Sequence, residues 1–113
     1  MDKYCISEEN ERKLLSSLGL CARARGLVIG APMVIESVRD TVRSPKLVIE
    51  AADTSENTHK RICDKCSYYG VKHIRLSCSI EALSDAVGKS SSVAAVAVSD
   101  ENFYKLLMKY IES

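Results

Sequence analysis

The sequence has no tryptophan, only one phenylalanine and two prolines, and no long hydrophobic run. A transmembrane helix needs about 20 consecutive apolar residues, so no membrane span is expected. The first five residues lack the apolar core of a secretory signal peptide. These absences predict a cytoplasmic protein that has no membrane partner.

Neither sign of charge is in excess. Sixteen basic and fifteen acidic residues give a formal net charge of +1. Proteins that hold nucleic acid through their overall electrostatic field are more basic than this. A nucleic-acid interface in this chain would therefore have to be a local patch of basic side chains.

Sequence signatures of catalysis are also missing. The chain contains no nucleophile-elbow serine and no glycine-rich phosphate loop. The predicted structure places the two histidines in different elements: His59 lies on a polar helix face, and His73 lies in a strand. Asp53 follows a strand and is interpreted as a helix cap rather than as a catalytic acid. The sequence thus predicts a protein that is not an enzyme.

The five cysteines are scattered, and several fall on apolar helix faces, which favours reduced, buried thiols. Cys63 and Cys66 form a Cys-x-x-Cys pair. Both lie well inside a predicted helix, whereas a thioredoxin-like pair begins at a helix N-terminus. A zinc site would need two further ligands, and there is no second Cys-x-x-Cys. We therefore predict no cofactor and no metal ligand.

The most informative stretch is Lys46 to Gly70. Leu47–Ala52 is a mostly apolar run, typical of a strand that is buried on both faces. Asp53 or Ser55 supplies an N-cap, and Gly70 is suited to end the helix that follows. The apolar stripe of this helix comprises Ile62, Cys63, Cys66 and Tyr69. Tyr69 is assigned to the core, while Tyr68 is open to either packing or base stacking.

The other segments can be arranged around this strand and helix. A first helix capped by Ser7 runs to about Ala24, and its interior Gly19 indicates close packing or a bend. The remaining segments, in chain order, are a strand at Leu27–Ile29, a helix from Pro32 whose buried stripe includes Val42, a strand at Val71–Leu76, a helix from Ser79 to Gly88, a strand at Val93–Val98 and a helix capped by Ser99 or Asp100.

This order of five helices and four strands predicts a single α/β domain over residues 1–113. The expected architecture is a three-layer α/β/α sandwich, with a mixed four-stranded sheet flanked by the five helices.

One group of residues suggests a phosphate-binding surface. Arg23 and Arg25 close the first helix, where Gly26 fits a C-cap, and Gly30-Ala31-Pro32 opens the second. If these segments meet Lys89-Ser90-Ser91-Ser92 at one edge, basic side chains join the backbone N–H groups and dipole of a helix start, a combination that suits a phosphate backbone. The two arginines also have a purely structural explanation, because positive charge at the C-terminus of a helix interacts favourably with the helix dipole.

The chain resembles the kink-turn RNA-binding ribosomal-protein family, the ribosomal protein L-seven-Ae family, and within it the branch of small bacterial YlxQ-type proteins. The resemblance covers about residues 14–107. Its most specific part runs from Lys46-Leu-Val-Ile through Ala51-Ala-Asp-Thr-Ser-Glu-Asn-Thr to Asp64-Lys-Cys-Ser-Tyr-Tyr-Gly-Val. Leu18-Gly-Leu-Cys-Ala-Arg-Ala-Arg, Gly30 and Val87-Gly-Lys support it.

The resemblance implies the same three-layer sandwich, an absence of catalysis, and binding to structured RNA, either a kink-turn or ribosomal RNA, with the ribosome as a further partner. It also implies that RNA contacts the helix start after the first strand and the loop before the last strand. These segments correspond here to Gly30–Glu36 and Gly88–Val93. With the two arginines, the predicted RNA-binding residues are Arg23, Arg25, Gly30, Ala31, Pro32, Met33, Glu36, Lys89, Ser90 and Ser91.

The chain departs from the family pattern at the helix start. Well-studied kink-turn binders carry Gly-x-Asn-Glu and then a lysine one turn later, with the Asn and Glu reading sheared G·A pairs. Gly30 matches this pattern, but Pro32, Met33 and Glu36 replace the other three residues. Two hypotheses follow: a binder of structured RNA, or a protein-interaction module on the same scaffold that contacts its partner through an exposed Met33.

Overall fold

The computed structural model describes residues 6–40, 42 and 44–111, and the order of its elements is the predicted one. Ser7, Ser55 and Ser79 each begin a helix by accepting a hydrogen bond from a backbone N–H three residues later. The elements are α1 (Glu8–Arg23), β1 (Leu27–Ile29), α2 (Ala31–Val38), β2 (Leu47–Glu50), α3 (Glu56–Tyr69), β3 (Lys72–Arg75), α4 (Ile80–Ala86), β4 (Ala95–Val98) and α5 (Glu101–Ile111).

The four strands form one mixed sheet in the order β1-β4-β2-β3. β4 is antiparallel to both of its neighbours, and β2 is parallel to β3. Consequently β1, β2 and β3 all finish at the end of the sheet where β4 begins. We call this the carboxyl end of the sheet, and α2, α3 and α4 all start from it.

Helices cover both faces of the sheet, which confirms the three-layer architecture. The alternation of β2 divides the core, because Leu47 and Ile49 face one layer and Val48 faces the other. Helices α1, α4 and α5 pack on the first face, while α2 and α3 pack on the second. In the described part of the chain, no helix is both long and apolar enough to cross a bilayer.

The interior glycine of α1 marks a close helix contact, as predicted. A Cβ added to Gly19 would lie 2.8 Å from the carbonyl oxygen of Ala86, at the end of α4. This distance is shorter than any real contact of a Cβ atom, so α1 and α4 can approach this closely only because residue 19 has no side chain.

We therefore expect Gly19→Ala to destabilise the protein. Overpacking at a closely packed contact costs about 1–3 kcal/mol, and the better helix propensity of alanine offsets about 1 kcal/mol of that. Chemical denaturation should show the free energy of unfolding falling by about 1–2 kcal/mol. Ser16→Ala, at an exposed position of the same helix, is the matched control and should cause no loss. Equal stability of the two variants would contradict the close contact.

The predicted extent of α2 was wrong. The helix ends at Val38 and does not reach Val42, whose side chain is 88% exposed. The side chain of Asp40 accepts a hydrogen bond from the N–H of Val42 at 2.9 Å, a local turn that competes with helix continuation.

The predicted C-cap of α1 was also wrong. The residue with positive φ is Arg25 (φ 59°), and the helix is capped by Ala24. Gly26 has a different role, because a Cβ there would overlap the ring of Phe103. It allows the ring of Phe103 to pack closely from α5 and does not form a left-handed turn.

Candidate functional site

Two of the predicted segments meet at the carboxyl end of the sheet. The N–H of Gly30 donates a hydrogen bond to the carbonyl oxygen of Ala95 at 2.9 Å, directly beyond the last pair of the β1–β4 ladder, Ile29 with Val96. The start of α2 therefore lies beside the loop that leads into β4. We call the surface formed by residues 30–36 and 88–93 the helix–loop surface.

The start of α2 presents backbone rather than polar side chains. Gly30 is its N-cap with φ 100°, a conformation that L side chains rarely adopt, and no side chain caps the helix. Ala31 is nearly buried, whereas Pro32 is exposed and Met33 is 60% exposed. Because the first turn of a helix has N–H groups without intrahelical partners, the N–H groups of Ala31 and Met33 have no partner within α2, and the positive end of the helix dipole lies at this point.

Glu36 lies one turn further along α2. Its Oε2 is 3.1 Å from Nη1 of Arg39, and both side chains are more than half exposed. An exposed pair of this kind contributes little stability. The pairing nevertheless places a positive charge next to the carboxylate, so α2 does not present an isolated negative charge at this position.

The loop of the helix–loop surface is anchored by one buried serine. Ser84 is 6% exposed; its Oγ donates to the carbonyl of Ile80 at 2.7 Å and accepts from the N–H of Val93 at 2.8 Å. Its carbonyl accepts from the N–H of Lys89 at 3.0 Å. Both ends of the loop are thereby held, while the side chains of Lys89, Ser90 and Ser91 are exposed between them.

The two predicted arginines have different surroundings. Nη2 of Arg23 is 4.0 Å from the position of a Cβ on Gly19, the same position that lies against Ala86 of α4. This guanidinium therefore folds back toward the beginning of the loop at residues 88–93. Arg25 lies beside Ser99 and Phe103, at the opposite end of β1. Arg25 is therefore separated from the start of α2 by the length of β1, and the expectation that Arg23 and Lys89 meet at one edge stays a prediction.

Tyr68, for which the sequence allowed either packing or base stacking, lies away from the helix–loop surface. Tyr68 is 82% exposed near the end of α3, and its ring contacts that of Tyr69 edge-on, with centroids 4.8 Å apart. The end of α3 leads into the beginning of β3, away from the carboxyl end of the sheet.

The sequence did not predict a cluster of ionisable side chains between α3 and the sheet. Glu50, the last residue of β2, is 0% exposed. Both of its carboxylate oxygens lie 2.8 Å from Nδ1 of His59, and Oε1 is also 2.8 Å from Nε2 of His73. Arg75 approaches the same carboxylate at 3.7 Å.

The assignment of His59 to a polar helix face was therefore wrong, because its side chain is only 19% exposed and faces this carboxylate. The sequence did contain one indication that a histidine is buried against the sheet. A glutamate inside a strand that is buried on both faces must find partners for its charge, and the two histidines were the obvious candidates.

The partners of Glu50 determine its ionisation. Burial acts to raise the pKa of its carboxyl, but the hydrogen bonds from His73 and His59 outweigh burial, so the pKa lies below its ordinary value. Glu50 is accordingly a buried carboxylate. Among the described residues, no buried side-chain nitrogen or oxygen lacks a hydrogen-bond partner.

The thiol of Cys63 borders the same cluster. Its Sγ is 3.5 Å from Nε2 of His59 and 3.8 Å from Nδ1 of His73. These three atoms have the identities and proximity of metal ligands. Cys66, one turn later, is 2% exposed and packs in the apolar cluster with Ile62.

Among the described residues, Cys21, Cys63, Cys66 and Cys78 form no disulfide. Burial raises the pKa of the Cys66 thiol to about 12 and that of Cys78 to about 11. Burial also raises the pKa of Cys21 and Cys63, assisted in Cys63 by the charge of Glu50. A redox-active pair needs an accessible thiolate, and Cys63-x-x-Cys66 does not have this character. Cys5 lies outside the described residues.

The fold is that of a three-layer α/β/α sandwich protein. A solved structure of a protein with unknown function from Bacillus halodurans C is similar, with a TM-score of 0.78 and 33% identity, over 89% of this chain and 98% of that one. The Giardia lamblia 15.5kD RNA binding protein shares the fold, with a TM-score of 0.74 and 20% identity, over 94% and 88% of the two chains.

The chain belongs to the ribosomal protein L7Ae/L30e/S12e/Gadd45 family, whose model matches residues 12–108. It is 38% identical over 95 residues to the RNA-binding protein YlxQ of Bacillus subtilis (strain 168), covering 84% of this chain and 91% of that protein. It is 34% identical over 107 residues to YlxQ of Enterococcus faecium, covering 95% and 99%. The predicted family is confirmed. So is the prediction that this protein is not an enzyme, since both relatives are named as RNA-binding proteins.

Proposed function

We propose that this protein binds structured RNA in the cytoplasm through the helix–loop surface. The observation that carries the proposal is the hydrogen bond from Gly30 to Ala95, which places an uncapped helix start beside an exposed loop with a lysine and serines. Membership of the family and the names of the two YlxQ relatives support it.

Phosphate contacts would dominate such an interface. Lys89 and Arg23 supply positive charge near the loop, and the first turn of α2 supplies N–H groups and the positive end of a dipole. Because the net charge is only +1, the overall field adds little. Affinity then depends on a small number of local contacts with phosphates. For a duplex, each such contact adds about −0.9 to the slope of log K against log salt, so binding weakens as the salt concentration rises.

The finer proposal is a kink-turn or ribosomal RNA target. Pro32 and Met33 cannot form the hydrogen bonds of the Asn-Glu pair that the resemblance implies, and each good base contact is worth about 1–3 kcal/mol of discrimination. Recognition would then use the backbone at Gly30–Met33 and the shape of the bent RNA. This mode predicts that the protein discriminates less between RNAs with and without G·A pairs than binders that carry the Asn-Glu pair do.

A gel-shift titration tests this proposal directly. The protein is titrated against a kink-turn RNA and a control RNA with disrupted G·A pairs, at low and moderate salt. Tight binding that depends on the G·A pairs supports kink-turn recognition. Weak, salt-sensitive binding to both supports a different structured RNA. No binding to either would overturn RNA binding.

A second candidate function is a protein-interaction module on the same scaffold. The observation in its favour is Met33, whose apolar side chain is 60% exposed on the helix–loop surface. A pull-down with and without ribonuclease separates the two functions. Partners that survive ribonuclease and are lost with Met33→Ala support the module, whereas partners that all disappear with ribonuclease count against it.

We expect Glu36→Lys to strengthen RNA binding several-fold at low salt. The change removes a negative charge from α2 and frees Arg39 from its pairing with Glu36. It also adds one potential phosphate contact, so the slope of log K against log salt should become steeper by about one. Glu9→Lys changes the net charge equally at an exposed position of α1. Gel shifts that strengthen equally for both variants would place the RNA elsewhere than on α2.

A further inference from the structure

Three potential metal ligands converge between α3 and the sheet. The ligand atoms of His59, Cys63 and His73 all lie within 4.8 Å of one another. Sγ of Cys63 is 3.5 Å from Nε2 of His59 and 3.8 Å from Nδ1 of His73. With bonds of about 2.3 Å to sulfur and 2.0–2.1 Å to nitrogen, a tetrahedral zinc ion separates its sulfur and nitrogen ligands by about 3.6 Å. The two sulfur–nitrogen separations are close to this value. The two ring nitrogens, which lie within 4.8 Å of each other, would be about 3.3 Å apart around a tetrahedral zinc ion, so the imidazole rings would adjust on binding.

The carboxylate of Glu50 determines which ring nitrogens face the sulfur. A carboxylate only accepts hydrogen bonds, so Nδ1 of His59 and Nε2 of His73, each 2.8 Å from it, carry the protons. Nε2 of His59 and Nδ1 of His73 are left with lone pairs, and these are the atoms nearest Cys63. A carboxylate that fixes the tautomer and orientation of a histidine is the usual support behind a metal-bound imidazole.

We propose that His59 Nε2, Cys63 Sγ and His73 Nδ1 bind one divalent transition-metal ion, Zn²⁺ by preference, with Glu50 as the positioning carboxylate behind both histidines. Two imidazoles and a thiolate are ligands that zinc favours. Binding displaces the thiol proton of Cys63 to solvent. The fourth position is left to water, because Cys66 is not among the three converging side chains.

The position of the cluster is consistent with reversible binding. His59 is 19% exposed and Cys63 is half-buried, so an ion can reach the ligands from solvent, while His73 and Glu50 lie behind them. The ligands come from α3 and β3, so a bound ion would tie the helix to the sheet. This inference is independent of the proposed RNA binding.

Cobalt titration of the whole, reduced and metal-stripped chain tests the proposal. We expect one equivalent of Co²⁺ to give a thiolate-to-cobalt charge-transfer band together with the intense d–d bands of a tetrahedral ion. Zn²⁺ should abolish both and raise the melting temperature. Absence of a thiolate–cobalt band from the folded protein would overturn the proposal.

The variants separate the ligands from their neighbours. Cys63→Ser should abolish the charge-transfer band, and His59→Gln or His73→Gln should weaken binding at least tenfold. Glu50→Gln should retain the spectrum but weaken affinity about 10–100-fold, as expected for a positioning residue. The matched thiol controls Cys66→Ser, Cys78→Ser and Cys5→Ser should leave affinity unchanged. A loss with Cys66→Ser or Cys5→Ser as large as that with Cys63→Ser would overturn the assignment.

X-ray absorption of the zinc-loaded wild-type protein gives a test that does not depend on whether the variants fold. One sulfur and two imidazole nitrogens in the coordination shell support the site. Two sulfurs would identify a Cys63–Cys66 chelate and overturn it.

Discussion

His73→Phe should lower the free energy of unfolding by about 3 kcal/mol in the presence of a chelator. Glu50 is 0% exposed, and His73 supplies one of its two close imidazole partners. Removing one partner of a buried ionic group leaves charge without adequate compensation, which typically costs about 3–5 kcal/mol. His59 and Arg75 remain beside the carboxylate, so a value at the low end of that range is expected. Urea denaturation measures it.

The double variant Glu50→Met/His73→Phe identifies the cause. Replacing both members of a buried pair by apolar side chains of similar volume is often neutral or stabilising. Most of the lost stability should therefore return, and the double-mutant cycle should show strong coupling. A double variant whose loss equals the sum of the two single losses would indicate that His73 acts through packing and not through the charge of Glu50.

The fold was predictable from the sequence because its signals are local. Serine caps, the short apolar run of β2 and the apolar stripe of α5 each specify an element within a short window. The end of α2 was missed because a single side chain, Asp40, forms a turn that competes with a helix pattern which would otherwise include Val42.

The Glu50 cluster could not be assembled from local patterns. Its members are separated by 9 and 23 residues along the chain, and they meet only because β2 and β3 are adjacent and parallel, with Val48 opposite His73. His59 was assigned to the polar side because of its residue type, although it lies three residues before Ile62 and four before Cys63, spacings that place it on the same helix face. A buried charge changes that interpretation, because it makes a histidine the preferred neighbour of the sheet.

The meeting of the two segments of the helix–loop surface was expected from the order of the elements, and the resemblance supplied their bounds; RNA binding at this surface stays a prediction. Sequence alone could not separate Arg23 from Arg25, which are two residues apart. The left-handed conformation of Arg25 (φ 59°) ends α1, and β1, whose three residues span about 10 Å, then separates Arg25 from Gly30.

This separation leads to a second prediction with a large effect. We expect Arg23→Ala/Lys89→Ala to weaken RNA binding by about tenfold to a hundredfold at low salt, and to reduce the slope of log K against log salt by about 2, or about one for each lost phosphate contact. Both side chains are exposed, Lys89 in the anchored loop and Arg23 directed back toward its beginning. The loss should be similar for all RNAs, since phosphate contacts carry no sequence information.

The matched control removes the same charge from the other end of the sheet. Arg25→Ala/Lys105→Ala deletes two exposed basic side chains, of which Arg25 lies beside Ser99 and Lys105 is on α5. If RNA occupies the helix–loop surface, this variant retains nearly the full salt slope. Equal losses for the two variants would mean that the RNA responds to net charge alone, and undiminished binding by Arg23→Ala/Lys89→Ala would exclude these side chains from the interface. Gel-shift titrations at several salt concentrations distinguish the three results, because slope and affinity are measured together.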